Sequence, residues 1–276
     1  MNKSPLLIAL ALALSGCQTL TTVDSDAQAA TQANKRLEGA SPNDINNALM
    51  VNAQYQHVEQ SEDAPVFDDV WERIRYQLSI DVPQNRPVVT ERNYYARHQA
   101  YLDRISKRAE PYLHFIVEEV EKREMPIEIA LLPIVESAFD PFGYSNRSAS
   151  GIWQFMPATG ERFDLKQNWW YDGRRDIVQS TRAALDYLSY LHKTLEGDWL
   201  NVIAAYNSGE GRLMRAIKKN RKKHLPTDFW SLDLPSETTA YVPKLLALAD
   251  LLKRADEFNV KWKPVINAQV VEVVDV

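Results

Sequence analysis

Apolar residues recur at helical spacing from Phe67 to about residue 258, and this pattern more than any other feature limits what the chain can become. It runs Val70, Ile74, Leu78 and then Tyr101, Leu102, Ile105, Tyr112, Phe115, Ile116 and Val120, the three- and four-residue steps that line one face of a helix. Pro126 suits the first turn of a further helix, Ile127 to Glu136, in which Pro133 predicts a kink before Asp140-Pro141 stops it. More helices are predicted at about 176–196, 199–207 and 209–220, and at 237–257 behind Ser236 as N-cap. Only 9 of the 276 residues are glycine, which disfavours turn-rich β folds and glycine-loop nucleotide folds. Neither βαβ alternation nor a 20–50-residue repeat is visible. The fold class expected is therefore all-α, with one exception. Residues 265–276 are β-branched and predict a short C-terminal strand with nothing after it to pair with. Either it pairs with an earlier segment or the natural chain continues beyond Val276, and the second is the favoured expectation.

The first residues follow a different grammar. Lys3 precedes an apolar run from Leu6 to Leu14, far short of the ~20 residues that span a bilayer and suited to a secretory signal. The run closes on Leu14-Ser15-Gly16-Cys17, which resembles the bacterial lipobox. That resemblance implies removal of residues 1–16 and lipidation of Cys17, whose thiolate is the nucleophile that takes the lipid. Gln18 in place of Asp then implies an outer-membrane lipoprotein facing the periplasm. Residues 17–66 are rich in Gln, Thr, Ala, Asn, Asp and Ser, contain a single aromatic, Tyr55, and read as a flexible tether with a reach of roughly 35–40 Å. One cysteine excludes an internal disulfide and a multi-cysteine metal site. A net charge of −5 offers no general attraction to nucleic acid.

Chemistry concentrates around Glu136. It ends an apolar stretch, Leu131 to Val135, and Ala138 and Phe139 follow, so partial desolvation is expected to raise its pKa and keep it a proton donor near neutral pH. By itself this is weak, since a glutamate at a helix end is ordinarily solvated or a cap. Its company is more specific: Glu136-Ser137-Ala138-Phe139-Asp140-Pro141, then Ser145, Gly151-Ile152-Trp153-Gln154-Phe155-Met156-Pro157, Ala205-Tyr206-Asn207-Ser208-Gly209-Glu210-Gly211 and Glu237-Thr238-Thr239-Ala240-Tyr241-Val242-Pro243, in that order.

This series resembles the family 1 lytic transglycosylases over about residues 67–258. The resemblance implies a goose-type lysozyme-like catalytic domain, mainly helical within the α+β lysozyme-like superfamily, at 126–258, with a helical segment at 67–125 before it and a strand-like tail at 259–276. It implies cleavage of the β-1,4 bond between N-acetylmuramic acid and N-acetylglucosamine in peptidoglycan without water, giving 1,6-anhydromuropeptides, with Glu136 as acid and then base. Ser145, Gln154, Tyr206, Asn207, Glu237 and Tyr241 are implied as substrate-binding or positioning residues. Relatives commonly carry C-terminal LysM modules, which this sequence lacks. Asp140 and Glu237 are the motif acids able to act as a second carboxylate, although the first fits a turn and the second a helix N-terminus. The partners expected are glycan strands and, through Cys17, a membrane; no cofactor is needed, and no metal site is expected from the five histidines, which lack ligand spacing. Two other readings stay open: a muramidase of the same fold, and a glycan-binding lipoprotein without activity. Seven cations between Arg212 and Lys223 suggest a solvated helix face, or a docking patch for stem-peptide carboxylates.

Overall fold

The computed structural model describes residues 65–270, so Cys17, the signal sequence, almost all of the tether and the last six residues lie outside the described residues. The chain divides into two units after Pro65, and the second, from Val66, contains the helices of the described residues. Asp69 caps α1 (Val70–Gln77) through the Trp71 N–H, and Asn85 caps α2 (Arg86–Ala96) through that of Val88. α3 (Gln99–Ala109) and α4 (Leu113–Glu121) follow, then a 3₁₀ turn (Ile127–Leu131) and α5 (Leu132–Ser137). α6 (Pro157–Arg162) comes after the loop that carries Gln154, and α7 (Ile177–Thr194) and α8 (Trp199–Ser208) open on aspartate caps, Asp176 and Asp198. The set ends with α9 (Glu210–Lys222) and α10 (Ser236–Lys253).

The mainly helical class stands as expected. α10 is the axis of the unit: Val242, Leu245, Leu246, Ala247, Leu248, Ala249, Leu251 and Leu252 are buried around its whole circumference, as in a helix enclosed by others. It packs against α1, α2, α5, α8 and the 3₁₀ turn, so the helices before Pro126 and those after it share one core. An ion pair of 2.6 Å, Arg92 on α2 to Asp250 on α10, crosses that core.

Three expectations change. The predicted kinked helix at 127–136 is two elements, because Pro133 has no N–H to donate and its ring opposes an α turn before it; the chain winds as 3₁₀ to Leu131 and restarts with Pro133 in the first turn of α5. The apolar run from Tyr101 to Val120 is likewise broken between Ala109 and Leu113. No C-terminal strand forms among the described residues. Instead Ile266 makes an isolated antiparallel bridge to Asp69, with the Val70 N–H donating to the Val265 carbonyl at 2.8 Å. Because the partner segment leads directly into α1, only a few residues are free to pair, and a β-branched sequence cannot extend a ladder that has no second side.

Candidate active site

Glu136 is the penultimate residue of α5, and the way that helix ends directs its carboxyl. Ala138 and Phe139 both take left-handed backbone, φ 50° and 56°, uncommon for residues with a Cβ. Their N–H groups close the helix onto Ile134 (3.0 Å) and Pro133 (3.1 Å), and Phe139 turns fully into the core. The Ser137 hydroxyl lies 3.0 Å from the Ile152 carbonyl and accepts from the Asp140 N–H, tying the helix end to the following loop.

Facing Glu136 across the cleft is Tyr241 on α10, whose hydroxyl donates a short hydrogen bond to Oε1. Glu136 is only partly covered as a residue, yet the surrounding protein removes most of the bulk hydration of its carboxyl. Burial pushes its pKa up to about 7, against the lowering effect of the Tyr241 hydrogen bond and with a further push from the charge of Glu237. No Lys, Arg or His among the described residues forms an ion pair with it. Tyr241 and Tyr206 are both raised well above the usual tyrosine range, by burial first and by Glu136 second, and therefore remain donors.

The other expected residues divide into those that meet at the carboxyl and those that hold its surroundings. Tyr206 on α8 donates to the Trp153 carbonyl at 2.8 Å rather than to Glu136, and its ring packs on Tyr187 and Phe155. Gln154 is held in left-handed backbone (φ 48°), and its Nε2 donates to the Gly151 and Gly143 carbonyls at 2.8 and 3.2 Å. Asn207 accepts from the Thr238 hydroxyl at 2.9 Å and so joins the end of α8 to the start of α10. Ser145 makes no bond to Glu136; its Oγ accepts from the N–H groups of Arg147 and Ala149 and shapes the 145–149 turn. Glu237 stands exposed on the rim, 3.8 Å from an equally exposed Arg147. Asp140 accepts from the Phe142 N–H and pairs with Arg108 at 3.2 Å, the behaviour of a turn residue. Trp153 is fully buried, its indole N–H bonded to Thr181 on α7, so this ring cannot stack on a sugar. The basic run lies along the exposed side of α9, where Lys219 and Arg221 pair with Asp233 and Glu196.

One supporting residue had no signal in the sequence. Arg174 is buried, held by both oxygens of Asp172, and donates to the Ser148 and Phe155 carbonyls at 2.7 and 3.2 Å, bracing the loop that carries Gln154. Gly151 meets the same arginine: at φ 79°, a Cβ there would fall 1.9 Å from the Arg174 carbonyl oxygen. Such an arrangement has one proton-exchanging carboxyl poised near neutrality, a tyrosine holding one of its oxygens, and a loop braced beside it. No group of three or more His, Cys, Asp or Glu among the described residues is placed to hold a metal ion.

Comparison with known proteins bears on this geometry. The transglycosylase SLT domain family matches residues 114–228. The membrane-bound lytic murein transglycosylase D of Escherichia coli (strain K12) is 42% identical over 261 residues, covering 95% of this chain and 55% of its own length. The putative tributyltin chloride resistance protein of Alteromonas sp. (strain M-1) is 51% identical over 138 residues, 49% of this chain and 67% of that protein. A solved structure, an inactive mutant of the lytic transglycosylase Slt from Pseudomonas aeruginosa, aligns at a TM-score of 0.42 and 26% identity over 56% of this chain and 25% of its own. The chain thus spans about half the length of the murein transglycosylase it matches along most of its own extent.

Proposed function

The chain belongs to the transglycosylase SLT family, and from that membership we propose that it is a lytic transglycosylase that cleaves peptidoglycan strands between N-acetylmuramic acid and N-acetylglucosamine. The observation that carries the reading is the Glu136 carboxyl: pushed by burial to a pKa of about 7, in no ion pair with a cation among the described residues, and fastened by one oxygen to Tyr241. Protonated Glu136 donates to the glycosidic oxygen as the C1–O bond breaks, leaving the new N-acetylglucosamine hydroxyl and an electron-poor muramoyl C1. The C6 hydroxyl of the same sugar then bonds to C1 and gives its proton to the Glu136 carboxylate. The acid is regenerated, no water is consumed, and a 1,6-anhydro end results. A group with a pKa of about 7 serves both halves, because neither protonation state is far from the ambient pH.

Hydrolysis by the same fold calls for a second carboxylate, about 5 Å away for retention or about 6.5–9.5 Å for inversion. Asp140 is taken up by Arg108 and its own turn, and Glu237 lies exposed on the rim beside Arg147, which supports the lytic route over the muramidase. Gln154, Ser145 and Asn207 are read as shaping and contacting the sugar site, and Tyr206 as a positioning residue for the Trp153–Gln154 turn. Digestion of purified murein tests this. Wild type should release products one water lighter than reducing-end muropeptides, and Glu136→Gln should lower the rate by about 10²–10⁴-fold. Reducing-end products, or equal release by both proteins, would overturn the assignment.

No helix among the described residues is long and apolar enough to cross a membrane. The proposed attachment is instead lipidated Cys17, with residues 1–16 removed and 17–66 as tether to an outer-membrane site facing the periplasm. Two or more acyl chains hold a protein firmly where one does not. Cys17→Ala should therefore move the protein from the membrane to the soluble fraction and abolish incorporation of labelled palmitate, while turnover of soluble glycan fragments is retained.

A further inference from the structure

The two most exposed aromatic side chains among the described residues are neighbours, Trp169 and Trp170, 88% and 90% accessible, and nothing in the cleft chemistry above employs them. They stand at the tip of a turn built to hold them there. Asn168 Oδ1 accepts from both the Trp170 and Tyr171 N–H groups at 2.9 Å, and the Asn168 N–H donates to the Tyr171 carbonyl at 2.8 Å. A bridge between Gln167 and Asp172 closes the turn at its base, and the Tyr171 hydroxyl is fastened to Asp176. The indoles are perpendicular, centroids 6.4 Å apart, so they present two faces in different directions rather than burying each other. A folded chain gains nothing by ordering two large apolar rings into water; a contiguous exposed patch of this kind marks a binding surface.

The surroundings narrow the ligand. The rings border a shallow concavity of about 450 Å³ that also holds Asn168, Asp172 and Arg175, flat apolar faces beside hydrogen-bonding groups, which matches a sugar ring with its C–H face and equatorial hydroxyls. A series of contacts leads from this concavity to the loop that carries Gln154. Arg175 donates to Ser150 and lies 6.0 Å from the exposed ring of Tyr144, which follows Gly143, whose carbonyl is an anchor of Gln154. The alternative of a lipid surface is disfavoured by charge. Within 163–176, Asp164, Asp172 and Asp176 balance Lys166, Arg174 and Arg175, without the basic excess that anionic headgroups select.

We propose that Trp169 and Trp170 form a second saccharide platform, outside the catalytic cleft, that stacks on rings of the same glycan strand and holds it during cleavage. The inference rests on peptidoglycan being the substrate, and its test is independent of turnover. Binding to purified sacculi is measured with the full chain carrying Glu136→Gln, with and without Trp169→Ala/Trp170→Ala, and with Trp169→Phe/Trp170→Phe, which keeps flat rings. Because both indoles are exposed, melting temperatures should coincide. The alanine pair is expected to weaken sacculus binding about tenfold or more, a typical cost of truncating an aromatic anchor, and the phenylalanine pair to recover part of it. In the catalytically intact chain, the preference for long strands over short soluble glycans should fall with the alanine pair. Equal binding by the alanine pair overturns the proposal. So does undiminished sacculus binding with lost binding to phosphatidylethanolamine–phosphatidylglycerol vesicles. If wild type yields no anhydro product while the alanine pair still loses sacculus binding, the activity assignment fails and the platform stands.

Discussion

At Glu136 burial and the charge of Glu237 oppose the Tyr241 hydrogen bond, and their sum decides whether the residue can serve as an acid. Burial favours the neutral form, while the Tyr241 hydroxyl bonds best to the charged one. Burial prevails and the pKa settles at about 7, so kcat/KM should decline as pH rises through that value and the protonated fraction of the free enzyme is lost. Tyr241→Phe removes the influence that lowers the pKa, so the alkaline limb of the profile should move to higher pH; pH-rate profiles of the two proteins check this. If the limb stays in place, the Tyr241 bond has no effect on the acid. At this scale the sequence was informative about Glu136 and named both motif tyrosines as its candidate partners, without deciding between them. Tyr206 and Tyr241 look equivalent as motif tyrosines, but one reaches the carboxyl and the other a backbone carbonyl, a difference set by which helix each occupies and how those helices cross.

Among the elements, the 143–156 loop does the positioning, and it is held from outside by Arg174 and from inside by Gly151. A methyl group on Gly151 would meet the Arg174 carbonyl at 1.9 Å in a backbone conformation with φ 79°, which is unfavourable even without the clash. Gly151→Ala should therefore destabilise the protein by about 2 kcal/mol or more, read as a lower urea midpoint with unchanged m-value. The brace was not legible beforehand. Arg174 sits in a stretch without periodicity, and an arginine there reads as solvated until the fold shows that its guanidinium donates to the Ser148 carbonyl and adds a second donor to the Phe155 carbonyl, which also accepts from the Ser150 N–H. Helix limits show the same division. α7 and α8 lie close to their expected ranges because aspartate caps and apolar stripes are local signals, whereas the split at Pro133 depends on how a short chain segment must wind to deliver Glu136.

For the whole molecule, one core joins the helices before Pro126 to those after it, and the Arg92–Asp250 pair is a test of that union. Both side chains are at most 9% exposed, and although Arg254 also lies 3.5 Å from Asp250, removing Asp250 strands the Arg92 guanidinium in a medium that solvates it poorly. Asp250→Leu should cost about 3–5 kcal/mol, and Arg92→Leu/Asp250→Leu much less, because what is expensive is an unpaired buried charge rather than the absence of a pair. Urea denaturation of both singles and the double completes the cycle. By itself the sequence determined the helical class, the ordered motifs and the place of Glu136 among them, since each depends on neighbours a few residues away: periodicity, capping and an apolar run. Only the tertiary structure decided which tyrosine holds Glu136, that Trp153 is buried while Trp169 and Trp170 are not, and that residues near Ile266 form a single bridge and no strand. Those outcomes depend on contacts between residues dozens to nearly two hundred positions apart, and local preference carries no information about which distant surface will arrive.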